Sequence, residues 1–178
     1  MVKKAQAKKS QAPTELKLDL GCGINKKEGF VGVDVLDFEG VDVVADLRKK
    51  WPWKNDSVDE VHCSHFIEHL TSDERCHFMN ELYRVLKPDA KATIVAPHWG
   101  SNRAYGDPTH VWPPVSEMFF FYLKKDWRDT QAPHTNGKLH CNFDSTWGYS
   151  LHPELNTRNQ EYRSEERRVG KECMPVCR

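Results

Sequence analysis

The sequence has no stretch approaching the roughly 18 consecutive apolar residues needed to cross a bilayer, so no transmembrane helix is expected. Residues 1–13 are polar and lysine-rich without an apolar centre, which argues against a secretory leader. The six cysteines follow no repeating spacing. Neither a disulfide framework nor a structural zinc module is expected, and a reduced, cytoplasmic setting is the default. Internal repeats are absent, and nothing in the composition separates a second folded domain. There is no excess of charge of either sign, since 26 basic and 26 acidic residues cancel. What is present, 178 residues of which 38% are hydrophobic and 29% charged, suits one domain with a sizeable core.

The cancellation hides an uneven distribution. Residues 1–13 carry Lys3, Lys4, Lys8 and Lys9 and no acid, and read as a disordered, solvated basic arm. At the other end, "RSEERRVGKEC" (residues 163–173) packs charge without a helical apolar stripe. It resembles the translation of a common sequencing-adapter oligonucleotide. Residues 163–178 are therefore expected to be an artefactual tail, with Cys173 and Cys177 not a metal pair and the natural chain continuing past Tyr162. The body between, residues 14–162, holds 23 acidic against 17 basic residues. Such a body is a poor generic binder of phosphate backbones, so no nucleic-acid partner is expected.

Short apolar runs predict strands at residues 16–20, 30–35, 41–45, 57–63 and 91–96, with edge strands within 139–151. Between the fourth and fifth, Thr71 and Glu74 form a capping-box pattern. Phe78, Met79, Leu82, Tyr83 and Leu86 then recur at helical spacing until Pro88. A short aromatic-rich helix is expected within 114–123. Strands alternating with helical or loop connections predict an α/β fold with a mostly parallel sheet.

Such sheets bind ligands at the carboxyl ends of their strands. There the sequence puts Gly21 and Gly23, then Asp34, then Asp46, then Ser64 and His65, then Pro97, His98 and Trp99. Glycines let backbone approach a ligand closely. An acid after the second strand can accept both hydroxyls of a ribose, and Asp46 can accept from an adenine amino group. A dinucleotide fingerprint also wants a third glycine, a helix and an acid about 20 residues on. Here Asn25 stands at the third-glycine position, and there is hardly room for a helix before the next strand. The helix N-terminus that would hold a pyrophosphate is what suffers. A ligand with adenine and ribose but no phosphate loses little.

In this order and spacing, "LDLGCG" (residues 18–23), "GVDV" (32–35), "ADLRKKWPWKNDSVDEVHCSHFIEHL" (45–70) and "ELYRVLKPDAKATIVAP" (81–97) resemble the class I S-adenosylmethionine-dependent methyltransferases of the type 11 kind. The resemblance implies a doubly wound, Rossmann-like methyltransferase fold with a shortened first helix, and S-adenosylmethionine as cofactor. It implies cofactor contacts from Asp19, Gly21, Cys22, Gly23, Asp34, Val35, Asp46, Leu47, Ser64 and His65. Gly21 and Gly23 would lie at the methionine end, Asp34 on the ribose, and Asp46 with Leu47 near the adenine. The sequence departs from the family at Asn25 and at Asp89-Ala90, where two glycines are usual. Residues 97–152 resemble proteins of bacteriophage-type genomes known only as methyltransferases, which names no acceptor.

Outside the cofactor segments, "AYGDPTHVW" (residues 104–112) is expected to fold over the site. His110 with Asp107 is a candidate general base, and His98 competes for the role. Tyr105, Trp99 and Trp112 are candidates to wall the pocket and face the sulfonium. "HFIEH" (residues 65–69) fits the H-x-x-E-H pattern of inverted zinc peptidases, whose histidines need a long helix and a distant third ligand. It is read instead as local support of the sheet edge, and no metal is expected. His62, Cys63, Cys76 and His77 are likewise read as ordinary core and surface residues. Neither base-methylating pattern occurs: Cys63-Ser-His-Phe66 stands where exocyclic-amine enzymes carry a Pro-Pro run, and Cys63 follows His62 rather than a proline. The expected function is methyl transfer from S-adenosylmethionine to an unidentified small-molecule or macromolecular acceptor. The alternatives are a non-catalytic module of the same fold and, third, a zinc-dependent hydrolase using 65–69.

Overall fold

A computed structural model describes residues 15–150 and 172–177. The expected basic arm lies outside them. Five parallel strands form the body of the sheet: β1 Lys17–Leu20, β2 Val31–Asp34, β3 Val43–Val44, β4 Val58–Ser64 and β5 Leu86–Pro97. With β6 Ser145–Ser150 and β7 Glu172–Cys177, the order across the sheet is β3-β2-β1-β4-β5-β7-β6. Strand β7 runs antiparallel to both β5 and β6. The sheet position between β5 and the edge strand β6 is thus taken by backbone from the segment expected to be a tail. The order reverses between β1 and β4, which opens a crevice at the carboxyl edge.

Leu18, Leu20, Val33, Val61, Cys63 and Ile94 are buried on the central strands. Against them packs α1, Ser72–Val85, through Phe78, Met79, Leu82 and Val85. Its start is the expected capping box: the Thr71 N–H donates to Glu74 Oε2 at 2.8 Å, and the Glu74 N–H reaches back to Thr71 Oγ1 at 3.4 Å. Such a cap contributes about 1 kcal/mol. The helix ends at Val85, because Leu86 turns to extended backbone ahead of Pro88. Asp89 then adopts φ +63°. That left-handed step explains why glycine suits the position, and Asp is among the few other residues that tolerate it.

No helix joins β1 to β2, β2 to β3 or β3 to β4, so the shortened first helix is in fact a turn. The connection from β3 to β4 packs beside α1 instead. Trp51, 2% exposed, packs edge-on against Phe78, donates its backbone N–H to Glu81 Oε2 and donates its indole N–H to the Leu47 carbonyl. After β5 come three short helices, α2 Arg103–Gly106, α3 Glu117–Phe121 and α4 Lys125–Gln131. The second of these is the expected aromatic one. No helix among the described residues is long and apolar enough to cross a membrane.

Candidate functional site

The carboxyl edge divides into two halves. In the first, β1 runs into a turn whose Gly21 and Gly23 have φ +67° and +52°. The Gly21 and Cys22 N–H groups both donate to the Val33 carbonyl, folding the turn back onto β2. A side chain at Gly21 would lie 2.5 Å from the Phe66 ring, so packing alone demands glycine there. At Gly23 an added Cβ meets nothing within 4 Å, and its N–H donates to Asp34 Oδ2 at 2.9 Å. The Leu36 N–H donates to Asp34 Oδ1 at 3.1 Å. Asp34 is thereby fixed in orientation while each oxygen keeps a further lone pair. Asn25, at the third-glycine position, does not take a left-handed conformation; its N–H closes an ordinary turn on the Cys22 carbonyl.

Other candidates of this half divide between contact and support. Asp19, 2% exposed, accepts from the Lys27 N–H at 2.7 Å and pairs with His62 Nδ1 at 2.7 Å. It braces the glycine turn against β4 from below. Cys22 is buried, and desolvation, then the Asp19 and Asp34 charges, raise its thiol pKa. Asp46 is gripped by the Arg48 fork, Nε to Oδ1 at 2.8 Å and Nη2 to Oδ2 at 3.2 Å. That fork holds its carboxyl down at about 2. Leu47 is buried beside it, whereas Ile24, Val35, Leu36 and Val44 are exposed at the ends of β1–β3. These exposed aliphatic side chains, on the strand ends and loops that also carry Asp34, offer apolar surface to a ligand held by that acid.

The second half lies at the ends of β4 and β5. Ser64 ends β4, and His65 follows at φ +54° with its N–H on the Val95 carbonyl. Residues Ile67–His69 form a single 3-10 turn. The long helix that an inverted zinc peptidase needs is absent here, so His65 and His69 do not share a helical face. A cavity of about 750 Å³ opens between this turn and the loop after α2, with His65, Glu68, His69, Asp107 and His110 in its wall. The Thr109 hydroxyl donates to Asp107 Oδ1 at 2.7 Å and must therefore accept from His69 Nδ1 at 3.0 Å. Thr109, through its side chain first and its backbone second, holds the Asp107 carboxyl below the usual range. His110 Nδ1 faces the Ala104 carbonyl at 3.2 Å, and Nε2 lies 3.9 Å from Asp107 Oδ2.

The two candidate bases separate here. His98 Nδ1 accepts from the Gly100 N–H at 3.0 Å and its Nε2 faces Glu117 Oε1 at 3.2 Å, so both ring nitrogens are engaged outside the cavity wall. His110 is in that wall. Trp99, Tyr105 and Trp112 are 47%, 55% and 74% exposed, so they rim the surface rather than enclose a pocket.

Three residues gained little weight in the sequence and matter here. Arg75 of α1 is 5% exposed and donates to the carbonyls of Ile67 (3.0 Å), Pro113 (2.6 Å), Val111 (3.1 Å) and Glu68 (3.4 Å). The Val111 N–H also donates to the Glu68 carbonyl at 2.9 Å. The 65–69 turn and the 107–113 loop are stapled together by this guanidinium. Burial, partly offset by the Glu68 charge, lowers its pKa. Phe66 fills the space over Gly21. Glu68 is 4% exposed, and neither carboxylate oxygen has a hydrogen-bond partner among the described residues. His65 Nδ1 lies 3.3 Å from Oε1 without the geometry of a hydrogen bond. The expectation that Glu68 hydrogen-bonds locally therefore holds for its backbone and fails for its side chain. A buried acceptor left unsatisfied costs about 1–3 kcal/mol, and more when charged.

Residues 18–94 match the family described as "Methyltransferase domain", a span of less than half the chain. No curated protein matches. Among solved structures the chain resembles a SAM-dependent methyltransferase from Archaeoglobus fulgidus (20% identity, TM-score 0.65, covering 93% of this chain and 86% of that one). It also resembles SAM-dependent methyltransferases from Methanosarcina mazei (15% identity, TM-score 0.58, 94% of both chains) and Mesorhizobium loti (15% identity, TM-score 0.53, 94% of both). At these identities the likeness is one of fold: a mostly parallel, doubly wound, Rossmann-like sheet of the methyltransferase type.

Proposed function

We propose that this chain is an S-adenosylmethionine-dependent methyltransferase, binding the cofactor across the ends of β1–β3 and its acceptor in the cavity beside β4 and β5. The observation that carries this reading is the pair Gly23 and Asp34. An open glycine stands beside a carboxylate aimed by two backbone N–H groups, at the strand-order reversal, amid exposed Val35 and Leu36. This fits an adenosine without phosphate: Asp34 accepts from the ribose hydroxyls, and these aliphatic side chains cover the base. Asp46 offers the lone pairs its Arg48 fork leaves over to the adenine amino group. Ser64 and His65 border the methionine end from β4.

The cofactor supplies a methyl group already activated on a sulfonium. The protein's part is to align the acceptor's lone pair with it and keep water out. With the cofactor bound, the electron pair of the breaking carbon–sulfur bond would remain on sulfur, so no residue of the chain has to receive it. Where the acceptor carries a proton, we assign His110 Nε2 to receive it, since Nδ1–H is donated to Ala104. The acceptor is a small molecule or a macromolecule, the acidic body gives the enzyme no generic affinity for nucleic acid, and we place it in the cytoplasm.

Calorimetric titration of the full chain with S-adenosylmethionine and its demethylated product tests the reading. Micromolar binding is expected. Asp34→Ala removes charge-assisted hydrogen bonds worth about 1.5–3 kcal/mol, a loss of roughly 10- to 150-fold in affinity. A folded sample that evolves no heat, or Asp34→Ala binding at wild-type affinity, overturns it.

A further inference from the structure

We infer that Glu68, His69 and His110 form a binding site for a divalent transition-metal ion. One donor atom from each lies within 4.8 Å of the others, and all three line the same cavity. The grouping is not the H-x-x-E-H pairing of the sequence pattern. It leaves His65 aside and recruits His110 from 41 residues beyond His69.

Several independent features point to a ligand rather than to a chance cluster. Glu68 is nine-tenths buried, its carboxylate has no hydrogen-bond donor, and the residue lines the cavity. A cation there would supply what the protein does not. Both imidazoles are also set up as ligands. The Thr109 hydroxyl spends its proton on Asp107, so His69 Nδ1 must carry hydrogen; His110 Nδ1 faces a carbonyl and must do the same. In each ring the lone pair is left on Nε2. A metal-bound histidine has its other nitrogen anchored to a carbonyl or polar group in this way, which fixes both tautomer and orientation. Arg75 joins the two segments that carry the donors, so the three are held by the fold and not only by loop position.

Donors about 2.1 Å from an ion sit roughly 3.4 Å apart in a tetrahedral set. The observed limit of 4.8 Å therefore calls for closure of at most about 1.4 Å, within the reach of side-chain rotation. One carboxylate and two imidazoles favour zinc, manganese, iron or cobalt over magnesium or calcium. His65, 3.3 Å from Glu68 Oε1, is positioned to orient the ligating carboxylate. A bound ion takes the Nε2 lone pair of His110, which then serves as ligand and not as base. The site stands on its own geometry, independent of what binds at the glycine turn.

The test uses the metal-stripped full chain, with Mn²⁺ and Co²⁺ as probes so that the cysteines do not dominate as they would with zinc. Calorimetry should show one equivalent bound, and Co²⁺ should give visible absorption bands of a nitrogen- and oxygen-ligated site. His110→Ala and Glu68→Gln should each weaken binding at least tenfold, while His134→Ala, an exposed histidine elsewhere, leaves it unchanged. At metal concentrations 100 times Kd, the wild-type melting temperature should rise by about 5–10 °C. Without metal, Glu68→Gln should melt at or above wild type, because it replaces a buried carboxylate that no hydrogen-bond donor serves; a purely structural glutamate would give a lower value. Binding that is absent, or unaltered in both cluster variants, overturns the site. The cofactor titration, run with a chelator present, is unaffected by that result.

Discussion

The two halves of the carboxyl edge are built in opposite ways. Around the glycine turn, each acid is satisfied by groups close in sequence or on the next strand: Asp34 by Gly23 and Leu36, Asp46 by Arg48, Asp19 by Lys27 and His62. Around the 65–69 turn, a buried glutamate is left without a donor, and the histidines that flank it arrive from separate segments. The first half is finished by its own backbone and is open to a ligand. The second is held in place by α1 and has at its centre a carboxylate without a hydrogen-bond donor. A site that uses both would recognise a cofactor through hydrogen bonds at one end and do its selective work at the other.

Cutting Arg75 is the sharpest way to separate the halves. Arg75→Met keeps the bulk and removes donors to four carbonyls on two segments. A loss of about 3–5 kcal/mol in unfolding free energy is expected, since buried carbonyls lose a charged partner. Denaturant unfolding measures it. In the fraction that remains folded, affinity for S-adenosylmethionine should change little while metal affinity collapses. Equal losses at both ends would mean that the halves are one mechanical unit.

The glycines divide the first half in turn. Gly21→Ala forces a left-handed alanine and a clash with Phe66, at a combined cost of about 2–5 kcal/mol. Gly23→Ala pays only the backbone term, about 1–2 kcal/mol, because nothing stands near its Cβ. Cofactor affinity should run the other way and fall further in Gly23→Ala, whose methyl group would occupy ligand space. Thermal melts paired with calorimetry check both orders; a Gly23 variant with unchanged affinity would put the ligand elsewhere.

What could be read in the sequence follows the same division. The capping box at Thr71 and Glu74, the strand–glycine–strand–acid run to Asp34 and the parallel sheet were legible because each depends on residues a few positions apart. The role of Glu68 was not. Its residue type and the H-x-x-E-H spacing were visible, but their meaning depended on whether a helix followed, and the chain makes a 3-10 turn there. His110 was legible as a candidate base with Asp107. Its approach to His69, with rings 4.7 Å apart, depends on Arg75 drawing two loops together across α1, for which no local pattern exists. Gly21 was read as making room for a ligand, whereas Phe66 explains it without one. His98 looked equivalent to His110 until the Gly100 N–H took its Nδ1 lone pair.

The smallest test lies in the electrostatics of the first half. Asp46 is depressed from an ordinary value near 3.8 to about 2, chiefly by its hydrogen bonds with the Arg48 side chain. A carboxyl whose folded pKa lies below its unfolded one contributes stability that is present above the unfolded value and lost as pH falls toward the folded one. Arg48→Ala should therefore raise the Asp46 titration midpoint toward 3.8, as followed by NMR of the side-chain carboxyl. The stability gap between variant and wild type should be full above about pH 4 and close as pH approaches 2. The pair is partly exposed, so the gap is small and shrinks further with salt. The adenine end gives the test its use: with the fork removed, Asp46 keeps only the backbone N–H of residue 48 as a donor and has more lone pairs for an amino group, so cofactor affinity in Arg48→Ala should hold or improve. A fall would mean that Arg48 aims the carboxylate at the base, and that this half, too, depends on a side-chain support from beyond the turn.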